Sequence, residues 1–204
     1  MSQGPARARW VLASHNPGKL TELRVLLHHL PVDVVAAPDL ELAVPDETGV
    51  TFEENAAHKA VTAMKATGLV ALADDSGVQV HALGGDPGVR TADWAGPGRD
   101  FGLARQRVQD ALAAHGPDVD RGATWVTVLA LATLDGQAHT FRGSADGTLV
   151  WPIRPDEGAG FEPMFVPNGY AITYSEMSAQ QRGRVNARAM AMRQLSEALA
   201  TFDT

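Results

Sequence analysis

Apolar residues recur along this chain in short blocks, some spaced by two and others by three or four, as expected where strands and helices share one core. Residues 10–14, WVLAS, form a compact apolar run that ends in the turn His15, Asn16, Pro17 and Gly18. They read as a buried strand followed by a helix, with Asn16 as its N-cap and Pro17 in its first turn. Leu20, Leu23, Leu26, Leu27 and Leu30 keep helical spacing until Pro31 stops it, and residues 32–36 predict a second strand. After a polar, proline-bearing loop over 38–50, Thr51 and Glu54 make a capping box for a helix that runs to Gly68. Residues 69–73 predict an apolar strand that ends at Asp74 and Asp75, with alternation resuming through Val78, Val80 and Ala82. Asp100 caps a predicted helix to about Ala114, striped by Phe101, Ala104, Val108 and Leu112. Residues 123–134 and 137–142 flank the Asp135–Gly136 turn as a hairpin, and 147–150 predict a further strand. Ser178 and Gln181 open a single final helix to about Phe202. Strands and helices mix without strict βαβ alternation, so the pattern predicts an α/β protein with a mixed sheet.

Composition narrows the function. The 204 residues fit one domain, and the absence of cysteine excludes disulfide frameworks, cysteine nucleophiles and thiolate metal sites. Net charge is −7, which argues against a nucleic-acid polymer or an anionic membrane as partner. No apolar run reaches the ~20 residues of a membrane span, and the first residues carry no signal-peptide core. The expectation is a soluble, cytoplasmic protein. Of 17 basic residues only three are lysines, Lys19, Lys59 and Lys65. Histidines 28, 29, 58, 81, 115 and 139 show no paired metal-ligand spacing.

Three clusters could carry chemistry. Around Ser14, Asn16 and Lys19 the strand-turn-helix unit offers hydroxyl, amide and ammonium donors at a helix N-terminus, which suits a phosphate; a plain capped helix explains the same residues. Asp74 and Asp75 are adjacent carboxylates that ionise together cheaply only with a cation between them, and Mg²⁺ accepts such oxygen ligands. Asp46 and Glu47 could complete that site from a neighbouring loop, whereas Glu53 and Glu54 at a helix start read as dipole and cap partners. Lys59, on the helix opened by Thr51, has the small neighbours Ala56, Ala57 and Ala60.

Together VLASHNPGK (11–19), ETGVTFEENA (47–56) with Lys59, ALADDSG (71–77) and ALGGDPGV (82–89) resemble the inosine triphosphate pyrophosphatase family, in order and spacing, over nearly the whole chain. The resemblance implies an elongated, two-lobed α/β fold made by one domain over residues 1–204, with a nucleotide cleft between the lobes and a homodimeric state. It implies an Mg²⁺-dependent hydrolase that clears nonstandard purine nucleoside triphosphates such as ITP, dITP and XTP, yielding the monophosphate and pyrophosphate. On that resemblance Ser14, Asn16 and Lys19 hold the triphosphate, and Glu47 and Asp75 bind the metal. Asp75 is also the proton acceptor, Asp74 positions metal or water, Lys59 contacts phosphate and Ser76 touches substrate.

The base end departs from the family. Where its members carry GFGYDP, this chain has Gly158, Ala159, Gly160, Phe161, Glu162 and Pro163, so alanine stands in the place of the stacking phenylalanine. The family's lysine is Arg182, and its Ser-His-Arg is Asn186, Ala187 and Arg188. Aromatic stacking is worth ~1–3 kcal/mol per base, and losing a histidine donor weakens discrimination at the purine 6-position. Two alternatives follow: the same reaction on another standard or modified base, or a nucleotide-binding module without turnover. The acidic residues and Lys59 favour the enzyme over the module, and no phospho-aspartate motif supports a sugar phosphatase.

Overall fold

The computed structural model describes residues 8–28 and 32–202. Among these, six strands form one sheet in the order β2-β1-β3-β4-β5-β6. The strands are β1 (Ala8–Leu12), β2 (Val32–Ala36), β3 (Val70–Val80), β4 (Gly122–Ala132), β5 (Ala138–Leu149) and β6 (Phe165–Pro167). The helices are α1 (Pro17–Leu27), α2 (Phe52–Thr67), α3 (Phe101–Ala114), α4 (Ala179–Val185) and α5 (Ala187–Phe202). Strand β1 pairs in parallel with β2 and β3, whereas β5 and β6 are antiparallel, so the sheet is mixed as the pattern predicts.

The chain divides into two compact units. The first comprises Met1–Asp75, Val128–Phe141 and Gln194–Thr204. Its core gathers Val11, Leu12, Leu23, Ala56, Ala60, Leu72 and Leu129, all essentially without solvent contact. Leu20, Leu23 and Leu27 of α1 are buried as their spacing predicts; the side chain of Leu26, and His29, Leu30 and Pro31, lie outside the described residues. Both predicted caps hold. Asn16 Oδ1 accepts from the amides of Gly18 and Lys19 at 2.9 and 3.3 Å, and Thr51 and Glu54 exchange the bonds of a capping box before Gly68 ends α2 in a left-handed conformation.

The second unit comprises Ser76–Thr127 and Arg142–Arg193. Its core joins Val78, Val80, Ala104, Val108, Leu112, Leu149, Phe161, Met164 and Phe165. Asp100 caps α3 by accepting from the Leu103 amide at 3.1 Å, and the stripe of Ala104, Val108 and Leu112 is buried.

Three expectations need correction. Asp74 and Asp75 do not end a strand: β3 continues unbroken from Val70 to Val80, because Ser76 and Gly77 keep the extended conformation instead of turning. Residues 147–150 are not a separate strand, since 147–149 are the far end of β5. The last helix is two helices. Asn186 sits between them with φ −73° and ψ 124°, an extended conformation that breaks the spiral. Its amide donates to the Arg182 carbonyl at 2.8 Å, finishing α4, while its Oδ1 accepts from the Arg188 and Ala189 amides and starts α5.

Gly143 lies against the start of α5, where an added Cβ would collide with the carbonyl of Ala187 and crowd the Ala191 amide. Backbone cannot yield as a flexible side chain does, so Gly143→Ala is expected to cost about 3 kcal/mol, read as a lowered urea midpoint with an unchanged slope.

Candidate active site

The first unit carries a small group of charges on and around α2. The buried stripe of this helix runs through Phe52, Asn55, Ala56, Lys59, Ala60, Ala63 and Met64. Helical geometry therefore carries two polar side chains, Asn55 and Lys59, inward with the apolar ones. Lys59 is only 8% exposed. Its Nζ donates to Asp75 Oδ1 at 2.9 Å and to Glu47 Oε1 at 3.0 Å, so carboxylates from β3 and from the loop before α2 converge on one ammonium. Asn55 Nδ2 donates to the other Asp75 oxygen at 3.4 Å, and its Oδ1 accepts from the Gly49 amide at 2.8 Å. One amide thus ties the Glu47 loop to the strand carboxylate. A Cβ on Gly49 would stand 2.6 Å from Asn55 Oδ1, so glycine lets the loop come this close.

Successive strand side chains point to opposite faces, which separates the two aspartates. Asp75 meets Lys59, while Asp74 Oδ2 pairs with Lys19 Nζ at 2.9 Å. The acidic pair does not share one cation; each carboxylate has its own lysine. Lys19 reaches Asp74 from the first turn of α1, just after the Ser14 and Asn16 turn. Ser14 Oγ accepts from the Asn16 amide at 3.3 Å, which leaves its hydroxyl proton to be donated elsewhere. The Gly18 and Lys19 amides are engaged by Asn16, so an anion here would rely on Ser14 and Lys19 side chains more than on helix amides.

Burial and the neighbouring charges together set the ionisation of this group. Asp75 is held above the ordinary carboxylate value, first by loss of water around it and then by Glu47, against the pull of Lys59 and Lys19. For Lys59 burial works toward the neutral form, but Asp75, Asp74 and Glu47 together outweigh it and strengthen the ammonium's hold on its proton. A carboxylate kept short of water and a firmly charged lysine are thus set side by side.

The second unit holds the other candidate residues in two places. Ser76 Oγ donates to Thr127 Oγ1 at 3.1 Å and accepts from Arg188 Nη2 at 3.4 Å. Arg182 directs both terminal nitrogens to Glu162 Oε2, at 2.9 and 3.3 Å. Ala159 is exposed and Gly160 half-buried on a loop. Phe161, by contrast, is 1% exposed and stands edge-on to Phe101 with ring centroids 6.3 Å apart, so it serves the core. Ala187 is buried as well.

The sequence matches the Ham1 family over residues 10–198. The chain belongs to the Ham1 family. A dITP/XTP pyrophosphatase of Rhizobium meliloti (strain 1021) is 49% identical over 84% of this chain and 83% of its own length. The protein of that name from Bartonella quintana (strain Toulouse) is 44% identical over 97% of this chain and 98% of its own. Among solved structures, a HAM1 protein from Coxiella burnetii superposes with a TM-score of 0.87 at 34% identity, covering 95% of this chain and 99% of that one.

Within this Ham1 chain, sequence reasoning singled out Lys59, Glu47 and Asp75, which the fold brings together, but it missed Asn55. A signal was available: position 55 lies three residues after Phe52 and four before Lys59, on the apolar stripe, where a polar residue demands a buried partner. No group of three or more His, Asp or Glu side chains converges on a metal-sized space among the described residues. Glu47 and Asp75 nevertheless aim hard oxygen donors at one positive centre, a donor set that fits a divalent cation whose remaining ligands are water and phosphate oxygens.

Removing the ammonium tests the electrostatics. In Lys59→Met the buried carboxylate loses its counter-charge, with an expected cost of about 3 kcal/mol at neutral pH in metal-free protein. Asp75 already binds its proton more tightly folded than unfolded, and more so without Lys59, so the penalty should shrink as pH falls toward 4. Urea denaturation of both proteins between pH 4.5 and 8 measures it; a pH-independent difference would contradict this account.

Proposed function

We propose that this Ham1 protein hydrolyses nonstandard purine nucleoside triphosphates, dITP and XTP foremost, to the nucleoside monophosphate and pyrophosphate. The observation that carries this reading is the convergence of Glu47 and Asp75 on Lys59, with the Lys19–Asp74 pair in the same unit. The names of its close relatives, dITP/XTP pyrophosphatase, support the choice of substrate.

In this proposal Lys19 and Ser14 bind the polyphosphate with Asn16 shaping the turn beneath them, and Lys59 neutralises charge gathering on the leaving pyrophosphate. Asp75 accepts a proton from the water whose oxygen bonds to the α-phosphorus as the α–β bridging bond breaks. Its poor solvation makes it a stronger base than an exposed aspartate, as that role requires. Asp74 holds Lys19 in place. Mg²⁺, held by Glu47 and Asp75, would supply further charge neutralisation on the phosphates. Ser76, Arg182, Arg188, Glu162 and the 158–160 loop are assigned to the nucleoside end.

A second reading keeps the reaction and changes the base. It rests on the exposed, aliphatic Ala159 on that loop, on the withdrawal of Phe161 into the core and on the pairing of Glu162 with Arg182. The protein is further proposed to act as a cytoplasmic homodimer; no helix among the described residues is long and apolar enough to cross a membrane.

Pyrophosphate release from ITP, dITP, XTP, dGTP, dATP and pyrimidine triphosphates, with and without Mg²⁺, tests both readings. The first expects dITP and XTP to lead the panel and EDTA to abolish turnover; leadership by another base selects the second. Asp75→Asn is expected to lower kcat by about a thousandfold with the fold retained by circular dichroism. Tight binding of nucleotides without turnover of any of them by the wild type would point to a binding module instead.

A further inference from the structure

Arg105, in the second turn of α3, is 8% exposed although its guanidinium makes no ion pair within salt-bridge distance among the described residues. Burial pulls its pKa down, against the more distant charge of Asp100, and its Nε has no hydrogen-bond partner among the described residues. Such a group costs stability unless it does something a smaller or apolar side chain cannot. Its partners show what that is. Nη1 donates to the Gly160 carbonyl at 2.5 Å and to the Gly158 carbonyl at 3.3 Å, the two carbonyls that flank Ala159.

The loop is glycine-rich, and Arg105 is the side chain that bonds its carbonyls at 158 and 160. Gly158 and Gly160 adopt φ of 150° and 54°, values open to glycine and unfavourable for other residues. Behind Gly158 there is no slack, since a Cβ would lie 2.5 Å from Pro163 and 2.6 Å from Ser175 Oγ. Past Gly160 the chain turns back, with the Glu162 amide donating to the Ala159 carbonyl at 3.0 Å, and Glu162 then engages Arg182. One buried guanidinium therefore anchors a turn whose next link is the Glu162–Arg182 pair. Two glycines without such an anchor would sample many conformations.

We infer that Arg105 is a positioning residue that sets nucleoside recognition by holding the 158–160 backbone rigid, so that Ala159 presents a fixed surface to the nucleoside. The inference rests on the assignment of this loop to the nucleoside end. Its effect is confined to the part of a ligand beyond the phosphates.

Arg105→Met is expected to raise KM for XTP or dITP roughly tenfold with kcat within about twofold, and to weaken product inhibition by the corresponding monophosphate equally. Competitive inhibition by inorganic tripolyphosphate, which has no nucleoside, should stay unchanged. Arg105→Lys keeps a cationic donor and should recover most of the KM; if the methionine variant does not fold, Arg105→Gln, whose uncharged and shorter side chain cannot span both carbonyls, carries the test with the same rise in nucleotide KM expected. Equal loss of tripolyphosphate and nucleotide affinity, or no change in either, would overturn the inference. Ala159→Phe separates it from its premise. If that variant leaves nucleotide KM untouched, the loop is not at the nucleoside; if it shifts KM while the Arg105 variants do not, the loop assignment stands and Arg105 plays no positioning part.

Discussion

An ammonium group taken almost wholly out of water can keep its charge only if opposite charge surrounds it, and that constraint organises the first unit of this protein. Lys59 comes inward on the apolar face of α2, and the loss of hydration must be offset nearby. Asp75 from the middle of β3 and Glu47 from the preceding loop provide the offset at 2.9 and 3.0 Å. Asn55, one helical turn earlier, fastens both of those elements together. Remove the lysine and the buried Asp75 carboxylate is left without its counter-charge beside the more exposed Glu47; remove the carboxylates and burial drives the lysine toward neutrality. The three charges thus depend on one another.

The aspartate pair shows how a strand sorts like charges. Adjacent carboxylates repel strongly when they share a face, yet β3 sends Asp74 and Asp75 to opposite sides and gives each a lysine from a different helix. A single dipeptide thereby links α1 and α2 electrostatically. The turn of Ser14, Asn16 and Lys19 is coupled in this way to the strand that also bears Asp75, through side chains rather than through helix amides, which Asn16 has already satisfied.

In the second unit, polar chemistry is built on irregular backbone and needs different support. Regular elements fix their side chains through repeated hydrogen bonds, whereas the segment between β5 and β6 depends on individual anchors such as Arg105 and the Glu162–Arg182 pair. The rewritten family positions fall into distinct physical classes once located. Phe161 and Ala187 fill core, Glu162 and Arg182 satisfy each other, and Ala159 stays at the surface.

Local chemistry made much of this legible from residue order alone. The caps at Asn16, Thr51, Asp100 and Ser178, the glycine after α2, the hairpin turn at Asp135 and Gly136 and the apolar stripes all act within a few residues, and they appear where their spacing places them. The motifs around Lys19, Glu47 and Asp75 are legible through their resemblance to a known family, since the Lys59 contacts that join Glu47 and Asp75 span 12 and 16 residues. Long-range outcomes were not. Nothing within β3 reveals that Ser76 and Gly77 remain extended, because neighbouring strands decide that by hydrogen bonding; nor does the helical pattern after Ser178 show that Asn186 will leave the spiral to cap a second helix. Asn55 and Arg105 look ordinary along the chain, and their importance arises from partners 20 and 53–55 residues away that folding brings within hydrogen-bond reach. Spacing can specify a periodic face, but which buried polar groups meet across it depends on the path of the whole backbone.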